Sequence, residues 1–288
     1  MSSQAAVTLT KVGRVALITL NVPEKMNAMT ASLADAFGII VAQLIEDPSE
    51  YGCVVITGAG RAFSAGGDLD WLRLRTRDTP SRNSKIMHDF YNKFLRVRHI
   101  PLPVIAAING HAIGAGFCFA MACDIRITSQ KAKLGFTFVG LGLHPGMGAT
   151  HLISSVAGYE TAYRMLLTGD VVSGVEAKAM RLCSQVEVDG PATVQAAMAM
   201  ADRIAHQSPV AVRATVFSLR QKQDAQGGSL EQALWREADA QSYGYSGADC
   251  REGIEAVAEK RKPNFRDYES YADTCTNPPP LPKHPSHL

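Results

Sequence analysis

The sequence predicts an α/β core that ends in a helical appendage. Three observations carry this reading. Strand-like and helix-like stretches alternate through the earlier part of the chain. Two strand–turn–helix units are joined by glycine-rich turns, "CVVITGAGRAFSAGGDL" and "PVIAAINGHAIGAGFCFAMA". From "DGPATVQ" onward the pattern is helical only, broken at Gln207-Ser208-Pro209 and again at "AQGGS". A chain of 288 residues allows one large domain, or one domain with a smaller appendage.

The elements follow in order. "AVTLTKVGRVALITLN" alternates around Val12-Gly13, which signals a hairpin. After the loop "NVPEKMNAMT", Thr30 or Ser32 caps a helix through "ASLADAFGIIVAQLIED". "YGCVVITGAG" is a buried-type strand with a glycine turn, and "RAFSAGGDLDWLRL" continues that turn into a helix. "RTRDTPSRNSK" is polar and reads as a mobile loop before a helix near "KIMHDFYNKFLRVRH". "PLPVIAAING" is a strand, followed by the second glycine turn and a greasy helix. "DIRITS" is a short strand, and "AKLGFTFVGLGLHPGMGATHLISSVAG" a glycine-punctuated loop entering a helix. "GYETAYRMLLTGDVVSGVEAKAMRLCSQVEV" reads as helix, loop, helix and strand, and Pro191 suits the first turn of the next helix. No internal repeat is legible.

Composition narrows the function classes. Hydrophobic residues make up 46% and charged residues 19%, which suits a soluble globular protein. A net charge of +2 gives no broad field for nucleic acid, and no apolar run is long enough to span a bilayer. None of the six cysteines has C-x-x-C spacing, so no metal site is expected, and buried thiols in a reducing compartment fit. The last residues, Ser286-His287-Leu288, are a variant of the peroxisomal S-K-L address at the end of a Pro-rich stretch. They set the expectation of a peroxisome-type organelle, with cytoplasm or mitochondrion as the alternative.

The glycine turns carry the chemistry. "GAGFCF" begins G-x-G but lacks the third glycine, and Asp124 comes too early for a ribose-binding acid. No P-loop and no G-x-S-x-G elbow is present. Two turns that each open a helix leave two sets of free N–H groups, and two convergent N–H donors make an oxyanion hole. Ala65 and Ala115 stand where such donors are expected.

Taken in order, "NVPEKMNAMT", "VVITGAGRAFSAGGDLDWL", "PVIAAINGHAIGAGFCFAMACDIRI", "LGLHPGMGATHLI", "LTGDVVSGVEAKAMRL" and "EGIEAVAEKRKPNF" resemble the enoyl-CoA hydratase/isomerase family, the crotonase superfamily. The resemblance covers residues 7–268. It implies a spiral of ββα units over residues 1–200, a helical trimerisation region over 201–265 and an exposed Pro-rich tail over 266–288. It implies homotrimers, often paired into hexamers, and an acyl-CoA thioester whose carbonyl sits between the N–H groups of Ala65 and Ala115. Coenzyme A belongs to the substrate, so no separate cofactor is expected. By motif position Lys25 and Ala28 lie near the CoA phosphates, and Gly67, Asp68 and Leu69 along its adenine and pantetheine. Lys260 matches a C-terminal lysine that reaches a CoA, in some members that of a neighbouring subunit. For Asp68 the backbone, not the carboxylate, is the expected contact.

The chain departs from the family at its acids. Hydratases of this family carry two glutamates, and Cys118 and Phe138 stand at those positions. A further acid of the dienoyl isomerases is replaced by Gly146. Cys118 and Phe138 are therefore read as acyl-pocket lining. His144 in "GLHPGMG" and Asp70 are the candidate acid/base residues, with His111, His151 and Thr137 behind them. Asp70 also suits a first helical turn on dipole grounds. The leading expectation is an acyl-CoA enzyme that stabilises a thioester enolate with non-standard acid/base residues. A non-catalytic acyl-CoA binder is the alternative, and a purely structural assembly subunit ranks last.

Overall fold

The computed structural model describes residues 5–225 and 229–263. Ten strands run Val7–Val12 (β1), Val15–Leu20 (β2), Cys53–Gly58 (β3), Ala62–Ser64 (β4), Val104–Ile108 (β5), His111–Ile113 (β6), Ile125–Ser129 (β7), Lys133–Gly135 (β8), Val171–Ser173 (β9) and Gln185–Glu187 (β10). The helices are Ala31–Glu46 (α1), Leu69–Arg75 (α2), Pro80–Leu95 (α3), Ala115–Ala122 (α4), Ala149–Thr168 (α5), Gly174–Ala179 (α6), Gly190–Ala205 (α7), Pro209–Ala225 (α8), Leu230–Ser246 (α9) and Ala248–Ala258 (α10). The Pro-rich tail, Cys275 and the terminal Ser286-His287-Leu288 lie outside the described residues.

The strands form two sheets. The larger has the order β1-β2-β3-β5-β7-β10 and the smaller β4-β6-β8-β9. Each pair β3/β4, β5/β6 and β7/β8 places its first strand in the larger sheet and its second in the smaller, and a helix follows. The chain thus winds forward by one ββα unit at a time. β3, β5 and β7 pair in parallel, as do β4, β6 and β8. Parallel strands covered on both faces need continuous apolar runs, and every residue of β3 and of β5 is buried.

One face of the larger sheet packs on α1, α3 and α4. There Phe37, Phe94 and Phe119 meet at 5.1 to 6.0 Å between ring centroids. α4 is buried all round, as its sequence "AGFCFAMA" demands. The other face is covered by Ala197, Ala201 and Ala205 of α7. Position 200, where the sequence places the end of the core, therefore falls inside a helix of the core.

Most sequence assignments match these elements. Thr30, not Ser32, caps α1 by accepting from Leu33 N at 3.2 Å. The segment 75–84, expected to be a mobile loop, is mostly helical. Thr79 caps α3, Pro80 opens it, and buried Asn83 Nδ2 ties back to Arg75 O at 2.8 Å. α8 is anchored by Arg220, which pairs with Asp124 at 2.6 Å and donates to the carbonyls of Arg98, Ile100 and Leu102. Asp124 in turn accepts from Val104 N at 2.7 Å. Arg220→Met strands a largely buried carboxylate and three carbonyls. A loss of about 3 kcal/mol is expected in urea denaturation.

Candidate active site

A cavity of about 630 Å³ opens between the β4–α2 loop, the N-terminus of α4, the loop after β8, and helices α3 and α9. It brings together Lys25, Ala28, Gly67, Asp68 and Leu69 on one side and Ala115 and Phe138 on another. Ala65, Asp70 and Thr137 also line it. Lys260 lies three residues beyond Val257, which lines the wall, and is exposed. Cys118 and His144 are not on its walls.

The loop that carries Lys25 and Ala28 is held by one buried amide. Asn27 Oδ1 accepts from Val22 N at 2.9 Å, and Nδ2 donates to Ala59 O at 3.0 Å and Ala62 O at 2.8 Å. This fixes the left-handed turn at Met26 and Asn27, with φ of 51° and 53°. Asp68 caps α2 through Trp71 N at 2.9 Å, so its carboxylate is structural.

Gly114 joins β6 to α4 at φ 53° and ψ −124°, a region closed to other residues. Gly116 lies so close to Ser64 that a Cβ would meet its carbonyl oxygen at 2.6 Å. The start of α4 is thereby pressed against β4. The Ala115 N–H, in the first turn, has no intrahelical acceptor. Ala65 differs from expectation, because its N–H donates to Met26 O at 2.9 Å. Gly67, two positions on, lines the same cavity as Ala115 and has an uncommitted N–H. Among the described residues, neither Gly67 N–H nor Ala115 N–H is taken by a protein acceptor. The two loops touch here, since a methyl at Gly66 would lie 3.4 Å from the Ala115 nitrogen.

The titratable candidates do not converge on the cavity: Asp70 borders it, and the histidines lie off its walls. Asp70 has a side chain 87% exposed and pairs with Arg73 at 3.0 Å. His144 donates from Nδ1 to Pro145 O at 2.7 Å, and burial lowers its pKa, which keeps the ring neutral. His111 Nδ1 accepts from Lys133 N, and His151 is buried 3.4 Å from Asp224. Cys118 lies behind the wall, with Sγ donating to Gly146 O at 3.5 Å. Burial pushes its thiol well above the ordinary range, so it stays protonated.

Sequence reasoning missed the polar groups that do line the cavity. Tyr91 on α3 donates to Gln241 Oε1 at 2.6 Å, and Tyr245 reaches the same oxygen at 3.4 Å. Gln241 Nε2 donates to His144 O at 2.9 Å. The spacing of Glu237, Gln241 and Tyr245 along α9 was the available signal. Glu237 is fully buried and does not reach the cavity wall. It accepts from Gly148 N at 2.6 Å, Thr150 N at 2.9 Å and Thr150 Oγ1 at 2.5 Å, and so ties α9 to the N-terminus of α5. Burial outweighs these bonds and raises its pKa to about 7.

The family model for enoyl-CoA hydratase/isomerase matches residues 10–268. The chain belongs to the enoyl-CoA hydratase/isomerase family. It is 32% identical over 257 residues to the short-chain-enoyl-CoA hydratase of Clostridium acetobutylicum, covering 89% of this chain and 95% of that one. It is 33% identical over 260 residues to the mitochondrial enoyl-CoA hydratase of Pongo abelii, covering 88% and 84%. The crystal structure of an enoyl-CoA hydratase from Mycobacterium avium subsp. paratuberculosis superposes with a TM-score of 0.78 at 27% identity, covering 91% and 99%. The fold of this family member is therefore the crotonase fold with a helical C-terminal region. Among its described residues no cluster of metal-binding side chains occurs, and no helix is long and apolar enough to cross a membrane.

The buried carboxylate has a pH signature. Glu237 holds its proton more tightly in the fold, where its pKa is about 7, than at the ordinary value of 4.5. Its contribution to stability is present below about pH 4.5 and is lost as pH rises through about 7, a swing of about 3 kcal/mol. Urea denaturation of Glu237→Gln at pH 5 and pH 8 is expected to lack that component of the slope.

Proposed function

We propose that this family member is an enzyme of acyl-CoA thioesters that stabilises a thioester enolate without the two family glutamates. The observation that carries this is the pair of free N–H groups at Ala115 and Gly67 on facing walls of one cavity. An oxygen placed between them takes two preorganised donors, and the first turn of α4 adds its dipole. The hole was expected at Ala65 and Ala115; the commitment of Ala65 to Met26 moves our assignment of one donor to Gly67. Lys25 at the cavity mouth supplies a point charge for CoA phosphates, and Lys260 remains a candidate for the same role. His144 and Asp70 are less suited to proton transfer than expected, given where their side chains lie.

A homotrimer is the proposed assembly. It is supported by the exposed stripe Tyr159, Tyr163 and Leu167 on the second half of α5, after its break at Gly158. Import into a peroxisome-type organelle through Ser286-His287-Leu288 is proposed from the sequence alone. The same cavity suits a non-catalytic acyl-CoA binder, an alternative favoured by Cys118 and Phe138 at the acid positions.

Calorimetry with butyryl-CoA is expected to detect binding, and Lys25→Ala to weaken it about 5-fold or more, with the loss shrinking at high salt. Absence of binding to any acyl-CoA would remove this reading. Sedimentation equilibrium is expected to give the mass of three chains, and Leu167→Arg to lower it.

A further inference from the structure

The loop after β8 brings one hydroxyl to the start of α4. Thr137 lines the cavity and stands between Phe136 and Phe138, which are both buried. Phe136 packs on Phe117 of α4 at 4.8 Å between ring centroids. Gly135 O, at the end of β8, accepts from Gly114 N at 2.8 Å. These two contacts clamp the segment that carries Thr137 to the β6–α4 turn. A side chain held this way is positioned by the coil and not by its own bonds.

The fold makes no use of that hydroxyl. Threonine hydroxyls commonly bond to nearby backbone. The short turn Val139–Leu141 that follows has no side-chain cap, and among the described residues Thr137 Oγ1 has no hydrogen-bond partner. It stands over Gly114 instead. Chain neighbours aside, the one heavy atom of the described residues within 4 Å of a Cβ at Gly114 is Thr137 Oγ1, at 3.7 Å. Gly114 lacks that Cβ, so the space between the hydroxyl and the turn is open to a ligand. Adding one bond of about 1.5 Å puts the hydroxyl within about 5 Å of the Gly114 Cα. The next nitrogen along the chain is the free N–H of Ala115. A single oxygen that accepts from two donors bridges up to about 5.8 Å between them.

We infer that the Thr137 hydroxyl is a third donor to the thioester oxygen, beside the N–H groups of Ala115 and Gly67. The inference rests on the acyl-CoA reading above. A hydroxyl is a donor that rotates to suit its partner. With no acceptor in the protein, it turns toward the oxygen that the amides hold. It donates one hydrogen bond there, and no proton changes hands. A hydrogen bond to a charged oxygen is stronger than one to a neutral carbonyl. The donor therefore favours the enolate over the resting thioester, which is the condition for it to raise a rate. It adds a polar contact at a wall where the neighbouring Phe138 supplies none.

The test uses the full chain with butyryl-CoA labelled with heavy carbon at its carbonyl, followed by isotope-edited infrared difference spectroscopy. Binding to the wild type is expected to lower the carbonyl stretching frequency. Thr137→Val keeps the shape of the side chain and removes the donor. It is expected to return part of that shift and to weaken binding by about 3- to 10-fold. Thr137→Ser keeps the hydroxyl and is expected to retain the shift. Both variants are expected to melt near the wild-type Tm. The full shift in Thr137→Val would overturn the inference and leave the acyl-CoA reading standing. Equal loss in Thr137→Ser would assign the effect to the methyl group, and an unfolded Thr137→Val would show that the hydroxyl serves the fold; either result overturns the inference. Failure of the wild type to bind any acyl-CoA would remove both.

Discussion

The contact between Gly116 and Ser64 is the constraint on which the site depends. One turn of the ββα coil can rest on the next only where backbone meets backbone, and a side chain at 116 would hold them apart. With that contact made, the start of α4 is fixed against the β4–α2 loop. The amide of Ala115 and the amide of Gly67 then belong to one cavity although they are 48 positions apart (115 − 67). Gly114 completes the arrangement by turning the chain sharply enough to begin the helix with its first N–H uncommitted.

The opposite wall has a different origin. It comes from α9, packed along α3, and its inward stripe is Glu237, Gln241 and Tyr245. Glu237 holds the entry to α5, Gln241 holds the His144 carbonyl, and the tyrosines converge on Gln241. The free amides are thus backbone groups of the coil, while Gln241 and Tyr245 on the opposite wall are side chains of the C-terminal region. The two sets are built by separate parts of the chain.

Much of the fold was legible because its signals are local. The hairpin at Gly13, the cap at Thr30 and the break at Pro209 all appear where pattern and turn chemistry place them. The strands β4, β6, β8 and β9 were not legible, since three residues are too few to show a period. The polarity of 75–84 suggested a loop because Asn83 looks like a surface residue until its partner at Arg75 O is known. In the site, the glycine turns point to free amides, but which amide is left without a partner is a matter of backbone direction, and residue identity does not encode it. The Ala65 N–H is bonded to Met26 O, whereas that of Gly67 has no protein acceptor among the described residues. Tyr91 and Gln241 meet across 150 positions of sequence, and each alone reads as an ordinary helical residue.

The origin of the α9 wall has a consequence for the order in which the molecule is completed. As the chain leaves the ribosome, the coil with its paired amides is made first, and the stripe of α9 emerges well after it. Until then Phe90, Tyr91 and Met147 face solvent and the "HPGMGAT" loop lacks its carboxylate anchor. The nascent chain is therefore an open apolar trough, and closing it is among the final acts of folding.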